Sequence, residues 1–590
     1  MKTALSGPLT RRNGLRLSMV LVVAYLMVAA PPPAGACTNF LVTRGASVDG
    51  STMISYAADS HVRYGQLYLR RGGEWPEGST VQLRYRGSMK PLGEIPQAPK
   101  TYTVIGFMNE NQVAIGESTF GGRPELQDKT GLVDYGSLMH LAMDRARSAR
   151  EAIKIMAELV EEYGYYSTGE SFSIGDPDEV WIMEMMGKGT DLVFDEEKQK
   201  EVNRNKGAVW VAIRIPDGFI SAHANHSRIT TFPLENRRNS ISSRNLDRIF
   251  DPAVEVVYAH DVIDFAREIG YFSGPDGEFS FSDAYAPMDF GAARFCEVRV
   301  WSFFRGLCSD MDQYTDFVRG ENLAKRMPLY VKPDRKVSVA DLMAAKRDHL
   351  SGTEFDMRHD PGAGPFELPY RWRPLTWEYE GRTYINERAT ATQQTGFSYI
   401  AQMRNWLPAP IGGILWFGVD DAASTVYNPM YCGITRVPET YAEGNGDLLT
   451  YSDSAAFWVF NKVANFAYLR YTMMIEDVRE VQQELEEKYL AYVPAIDQAA
   501  KLLHDQDPAL AREFLTDFSA FAANGTVKRW QELFRYLLVK YLDGNVKKES
   551  DGQFTRNPYG FPVQPHFPGY PESWKRRVVE ETGDHLLQRD

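Results

Sequence analysis

The order in which the hydrophobic period changes along this chain is what most constrains its fold. Residues 37–45 read as a strand, Asp49-Gly50 as a hairpin turn, and 51–59 as the returning strand. Alternation sets Thr52, Ile54 and Tyr56 on one face, and the hairpin brings Asp59 to the same end as Cys37. A second hairpin is expected from 102–107, a turn at Asn109-Glu110-Asn111, and 112–119 running into Phe120-Gly121-Gly122-Arg123. The period then becomes helical over 131–147. Ser148 with Glu151 forms a capping box for a second helix ending near Tyr163-Gly164. Two further hairpins follow, 172–175 with 180–186 about Asp176-Pro177-Asp178, and 208–215 with 219–223 about Pro216-Asp217-Gly218. Two antiparallel sheets face to face with helices outside would bury every apolar face of an α+β chain in this order.

The later chain is read the same way. Residues 230–375 are rich in loops, within which alternation makes 295–301 a strand. Residues 356–370 are a loop, and 402–406, 412–418 and 424–427 continue the sheets. From Ser454 apolar residues step by threes and fours through Phe460, Val463, Ala467 and Tyr471. A second helix opens with Asp507 as N-cap and Pro508 at its first position, and Asn524-Gly525 ends it. Thr526 caps a third, and a tail rich in Pro and Gly is expected to be irregular.

The chain opens with Lys2, Arg11, Arg12 and Arg16, an apolar run from 17 to 30, and Pro31-Pro32-Pro33. Ala34-Gly35-Ala36 then stands directly before Cys37. This is the pattern of a secretory leader with an Ala-x-Ala cleavage box. Cleavage after Ala36 would give Cys37 a free α-amine beside its thiol, a nucleophile with its own general base. No later run is long and apolar enough for a membrane span. The expected location is periplasmic or extracellular. A cysteine after such a box is also where a lipid anchor attaches, although Ala34 stands where such boxes carry Leu.

Of the four cysteines, Cys296 and Cys308 are the closest in sequence and, in an exported protein, the expected disulfide. That leaves Cys37 and Cys432 free. A net charge of −13 argues against general nucleic-acid binding. His223-x-x-His226 lacks a third ligand at a recognisable spacing, so no metal is expected. Asn225 between them is a candidate oxyanion donor. Ser118 and Thr119 are candidate substrate contacts near the cysteine. Nothing in the pattern calls for an organic cofactor.

Cys37-Thr38, the run from Gly45 to Ser51, and Asp59 resemble the opening of the dipeptidase A-type cysteine peptidases. These are N-terminal nucleophile hydrolases related to conjugated bile acid hydrolases and penicillin V acylases. Asn109-Glu110, Asp176 to Trp181, Glu184, Ala224-Asn225, Arg299-Val300-Trp301, Gln402-Met403-Arg404, Trp416 and Asn428 to Tyr431 also resemble family positions. The similarity runs roughly over residues 37 to 480. It implies a four-layered αββα sandwich with a helical extension. With the leader pattern and the helical period already described, the chain divides into a leader (1–36), a catalytic domain (37–450), a helical extension (451–545) and a tail (546–590).

By the same resemblance Cys37 is the nucleophile, Asn225 serves the oxyanion, Asp59 positions the cysteine amine or meets the substrate's, and Arg299 orients the centre. The family usually has Arg-Asn-x-Asp where this chain has Tyr56-Ala57-Ala58-Asp59. Tyr56 therefore offers a single hydrogen bond, or Arg228 or Arg299 takes the missing arginine's place. The activity implied is hydrolysis of dipeptides or short peptides. The alternatives are an amidase acting on acyl-amides and a peptide-binding surface lipoprotein. Homo-oligomerisation is left open.

Overall fold

The computed structural model of the protein describes residues 36–589. The expected leader lies outside the described residues, apart from the backbone of Ala36. The opening hairpin is β1 (Ala36–Val42) and β2 (Thr52–Asp59), in a register that sets Cys37 opposite Ala58 and Ala36 opposite Asp59. Asp49 makes the turn. Its Oδ1 accepts from Ser47 Oγ, Ser51 N and Ser51 Oγ, and Gly50 takes φ +80°.

Next come β3 (Ala114–Gly121), α1 (Tyr135–Arg145), α2 (Ala149–Tyr163), β4 (Gly169–Gly175) and β5 (Val180–Gly187). The long partner of β3 is β4, across both helices, and not residues 102–107 as expected. That earlier stretch breaks into Val104–Ile105 and Met108–Asn109 about Gly106 at φ +55°. Both helix caps form as the sequence reads: Asp134 accepts from Ser137 N, and Ser148 from Glu151 N. Arg150 pins α2 to the sheet through a bidentate pair with Glu179 and a stack over Trp181.

The turn at Pro216-Asp217-Gly218 does not close a hairpin. It carries the chain from one sheet to the other, since β6 (Ala208–Arg214) pairs with β5 while β7 (Ile220–His223) pairs with β1. A seven-stranded sheet has the order Tyr330–Val331, β7, β1, β2, β8 (Thr395–Met403), β9 (Ile414–Val419), β10 (Asn428–Tyr431). A nine-stranded sheet runs Ser240–Ser242, Val256–Tyr258, β6, β5, β4, β3 and then Met108–Asn109, Val104–Ile105, Leu69–Arg70. The two sheets touch directly. His223 of β7 is held between Ser118 of β3 and Ser173 of β4, at 2.7 Å on each ring nitrogen, and Tyr399 of β8 donates to Ile115 O. At Gly116 they approach closely enough that a Cβ there would lie 2.4 Å from Asn39 Oδ1.

Residues 295–301 are not a strand. A π-helical turn, Ala292–Glu297, leads into α3 (Val298–Arg305). This overturns the expected disulfide as well, since Cys296 and Cys308 lie at opposite ends of that helix. At about 1.5 Å per helical residue their separation far exceeds the roughly 7 Å between Cα atoms that a disulfide spans. All four cysteines are free.

Beyond α4 (Val339–Lys346) and the later strands come three packed helices: α5 (Ala456–Tyr468), α6 (Tyr471–Gln506) and α7 (Pro508–Lys540). Asp507 caps α7 as expected, accepting from Ala509 N. Asn524-Gly525 does not end it, because Thr526 is buried and bonds Asn428 at 2.7 Å and Tyr489 at 2.6 Å, and Trp530 stacks on Phe460. Those contacts outweigh the weak helix propensity of Asn-Gly. Asp497 of α6 pairs with Arg404 and accepts from Tyr431, so these helices share the core of the seven-stranded sheet. The tail also holds more structure than expected, an exposed helix at Glu572–Thr582. No described helix is long and apolar enough to cross a membrane.

Candidate active site

Cys37 lies near the start of β1, which is central in its sheet and held by ladders on both sides. The residue is 5% exposed. Its main-chain nitrogen donates to Asn225 Oδ1 at 2.9 Å, and its Sγ is 3.6 Å from both Tyr56 Oη and Glu117 Oε1. Tyr56 in turn donates to Glu117 Oε1 at 2.7 Å. Burial, reinforced by the carboxylates of Glu117 and Asp59, pushes the Cys37 thiol well above the ordinary range, so the resting group is a neutral thiol. Attack by this sulfur therefore requires that its proton be taken by a neighbour at the moment of reaction.

Arg299 organises the end of the strand. The turn into α3 aims its guanidinium inward, where Nη1 donates to Cys37 O and Thr38 Oγ1, each at 2.7 Å. Nη2 donates to Ala224 O and Asn225 Oδ1, and Nε to Phe295 O. Burial lowers its pKa to about 10, which leaves it charged at neutral pH. Lys346 of α4 donates to Thr38 O at 2.5 Å and lies over the Phe40 ring; burial brings its ammonium down to about 7. Both cations hold backbone, so the nucleophile's strand end is fixed from behind.

Asn225 sits at φ +60°, a backbone state that Asn tolerates better than most residues. Its oxygen accepts from the Cys37 nitrogen and its Nδ2 donates to Thr119 O at 2.6 Å. In this arrangement Asn225 anchors the Cys37 nitrogen. Asp59 is at the same end of the hairpin as Cys37, yet its carboxylate is taken by Arg388 Nη2 and Thr395 Oγ1, each at 2.6 Å. It therefore holds Arg388 and β8.

Three expected substrate contacts have partners within the protein. Ser118 bonds His223 and the Asn225 main chain. Thr119 donates to Glu170 Oε1 at 2.6 Å. Arg228 forms a buried pair with Glu297 and donates to the carbonyls of Ala222, Leu329 and Pro328, so it does not stand in for the family arginine. Tyr56 does reach the sulfur. Neither histidine of His223-x-x-His226 is part of a metal-ligand group among the described residues.

Sequence reading passed over Glu117, Glu170, Arg388 and Lys346. The signal for Glu117 was present. It stands in Ala114-Ile115-Gly116-Glu117-Ser118-Thr119, a strand otherwise of small and apolar residues, where an unshared carboxylate is costly.

A single buried thiol, braced from behind by two cations and faced by a phenol and a carboxylate, defines a site for nucleophilic attack by sulfur. The chain belongs to peptidase family C69, whose sequence profile matches residues 36–70 and 74–484. Among similar curated proteins, a probable dipeptidase of Latilactobacillus sakei is 25% identical over 500 residues, covering 82% of this chain and 90% of that one. A probable dipeptidase of Salmonella dublin is 25% identical over 422 residues, 68% of this chain and 81% of its own. Dipeptidase A of Lactobacillus helveticus is 22% identical over 504 residues, 80% and 88% respectively. The protein is thus a peptidase.

Proposed function

We propose that this peptidase is an exported dipeptidase whose nucleophile is Cys37, exposed as the first residue by cleavage after Ala36. One observation carries the reading. Cys37 nitrogen and sulfur face the same small group of buried partners, the nitrogen bonded to Asn225 Oδ1 and the sulfur against Tyr56 and Glu117. Once that nitrogen is an amine, with an ordinary pKa of about 7.7–8.0, it takes the thiol proton as sulfur attacks the scissile carbonyl. It then returns the proton to the leaving amine. Arg299 and Asn225 keep the amine and sulfur in register through both steps. The family match begins at Ala36, directly before the nucleophile, and the relatives named dipeptidases support the substrate class. The helices α1 and α2 on the nine-stranded sheet, and α4, α6 and α7 on the seven-stranded one, support the four-layered αββα order of an N-terminal nucleophile hydrolase.

The test pairs the wild-type chain with an Ala34→Lys, Ala36→Lys variant in which the cleavage box is destroyed. Wild type should yield a mature mass beginning at Cys37 and hydrolyse free dipeptides. The variant should fold and stay inactive, because its Cys37 nitrogen is an amide without a basic lone pair. Full activity in the uncleaved chain would refute the mechanism.

A further inference from the structure

Sulfur that adds to a carbonyl leaves a negative charge on its oxygen, and the groups that hold Cys37 in place do not meet that charge. Arg299 spends its donors on Phe295 O, Cys37 O, Thr38 Oγ1, Ala224 O and Asn225 Oδ1. Asn225 Nδ2 donates to Thr119 O. The side chains that face the sulfur are Tyr56 of β2 and Glu117 of β3. Tyr56 Oη and Glu117 Oε1 each stand 3.6 Å from Cys37 Sγ and 2.7 Å from one another. Any carbonyl that reaches the sulfur comes up against this pair. The two groups carry hydrogens rather than charge. Burial pushes the Glu117 carboxyl up, and the hydrogen bond from Tyr56 and the charges of Arg86 and Arg63 pull it back only in part. Glu170 of β4 is held toward the acid form more strongly still, by burial and then by Glu117. Burial also raises the Tyr56 phenol well above its ordinary range, so it stays an O–H donor. A carboxylate here would oppose a developing anion, whereas a carboxylic acid donates to it.

We propose that the Tyr56 hydroxyl and the Glu117 carboxylic acid form the oxyanion hole of this enzyme. This rests on the reading of Cys37 as the nucleophile. The attacked carbon comes to about 3–3.5 Å from the sulfur, with its oxygen about 1.2 Å from that carbon. Two donors 3.6 Å from the same sulfur are then placed to reach the oxygen at the about 2.7–3.1 Å that such stabilisation needs. As the C–S bond forms, the carbonyl π pair moves onto oxygen and the thiol proton goes to the Cys37 amine. The phenol O–H turns from Glu117 Oε1 to the new anion, which is the stronger acceptor, and the acid O–H joins it. Neither hydrogen is transferred. The pairing also gives Tyr56 a reason to stand where the family carries arginine. A guanidinium at that place would draw the proton off Glu117, and a phenol leaves it there.

The experiment takes the mature enzyme and compares Tyr56→Phe, Glu117→Gln and Glu117→Leu with wild type in two reactions of the same sulfur. One is hydrolysis of Ala-Ala, and the other is alkylation by iodoacetamide, which displaces iodide at a saturated carbon and forms no oxyanion. Thermal midpoints confirm that each variant is folded. Tyr56→Phe should lower kcat on Ala-Ala about a hundred- to a thousandfold with KM little changed, and Glu117→Leu should do the same. Glu117→Gln should fall well short of that loss, because its amide still brings a donor. Alkylation should run close to the wild-type rate in all three. Glu117→Gln as impaired as Glu117→Leu would overturn the assignment, since the carboxyl would then act through its charge or as a base. Alkylation that falls in step with hydrolysis would overturn it too, because the pair would then be activating the thiol. So would turnover left unchanged by Tyr56→Phe and Glu117→Leu. Hydrolysis of Ala-Ala that survives complete alkylation of Cys37 would instead overturn the reading of Cys37 as the nucleophile.

Discussion

Replacing Arg299 by lysine keeps the charge and removes the fork. In the native site the guanidinium makes five hydrogen bonds at once, to Phe295 O, Cys37 O, Thr38 Oγ1, Ala224 O and Asn225 Oδ1. An ammonium has three donors and a single point of origin, so at least two of these are lost. A hydrogen bond to a charged group contributes about 1.5–3 kcal/mol net. Two such losses amount to about 3–6 kcal/mol if the strand end cannot relax, which at 1.36 kcal/mol per decade is about a hundred- to a ten-thousandfold. Arg299→Lys should lower kcat/KM on free dipeptides by that range. Alkylation of Cys37 should slow less, because a small reagent does not need the nitrogen and sulfur held together. Both rates and the thermal midpoint would be followed on the mature enzyme. Turnover within threefold of wild type, at an unchanged midpoint, would refute the claim that the guanidinium holds the nucleophile in place.

Two further outcomes follow from the same geometry. Asn225→Gly keeps the φ of +60° without strain and removes the acceptor for the Cys37 nitrogen, so it should fold normally and lose turnover. Asn225→Ala should lose turnover and also about 1–2 kcal/mol of stability, readable by denaturant titration. His223 is held neutral between Ser118 and Ser173, burial bringing its pKa down to about 3. Between its ordinary value near 6.5 and that point, the unfolded chain takes a proton that the folded one refuses, so stability falls as pH is lowered through this window. His223→Gln should flatten the loss seen by urea midpoint between pH 7 and 4. It should do so only in part, because His226, at about 4, and His349, at about 3, behave alike. An unchanged slope would show that His223 is not a source of the acid sensitivity.

The opening hairpin was legible because Asp49-Gly50 encodes its turn locally, and α2 because Ser148 and Gly164 mark its ends. Residues 295–301 were not, for a physical reason. Val298, Arg299, Val300 and Trp301 are four consecutive buried residues, about one helical turn, too short a stretch to show a helical period. Alternating β-branched residues then look like a strand. Nothing local in Pro216-Asp217-Gly218 says that the next strand will join the other sheet. Asn524-Gly525 reads as a stop until Asn428 and Tyr489 are known to hold Thr526. Cys37 could be singled out from the residues around it, whereas most of what surrounds it in the fold could not. Arg228 looks like a free cation until distant parts of the chain supply its neighbours.

The placement of β1 also sets a clock. The strand is among the first described segments of the chain, yet β7, on one side of it, includes a partner 184 residues on, and Arg299 is 262 residues away. The outer neighbour of β2 ends at Met403. A ribosome adding about 5–20 residues per second needs roughly 20–70 s to travel from Cys37 to that point. For that whole interval the thiol is attached to a strand whose sheet, guanidinium brace and facing carboxylate are not all yet made. A growing chain thus carries this thiol through most of synthesis before the segments that surround it in the folded protein exist, and its buried setting can be complete only after residue 403 has been made.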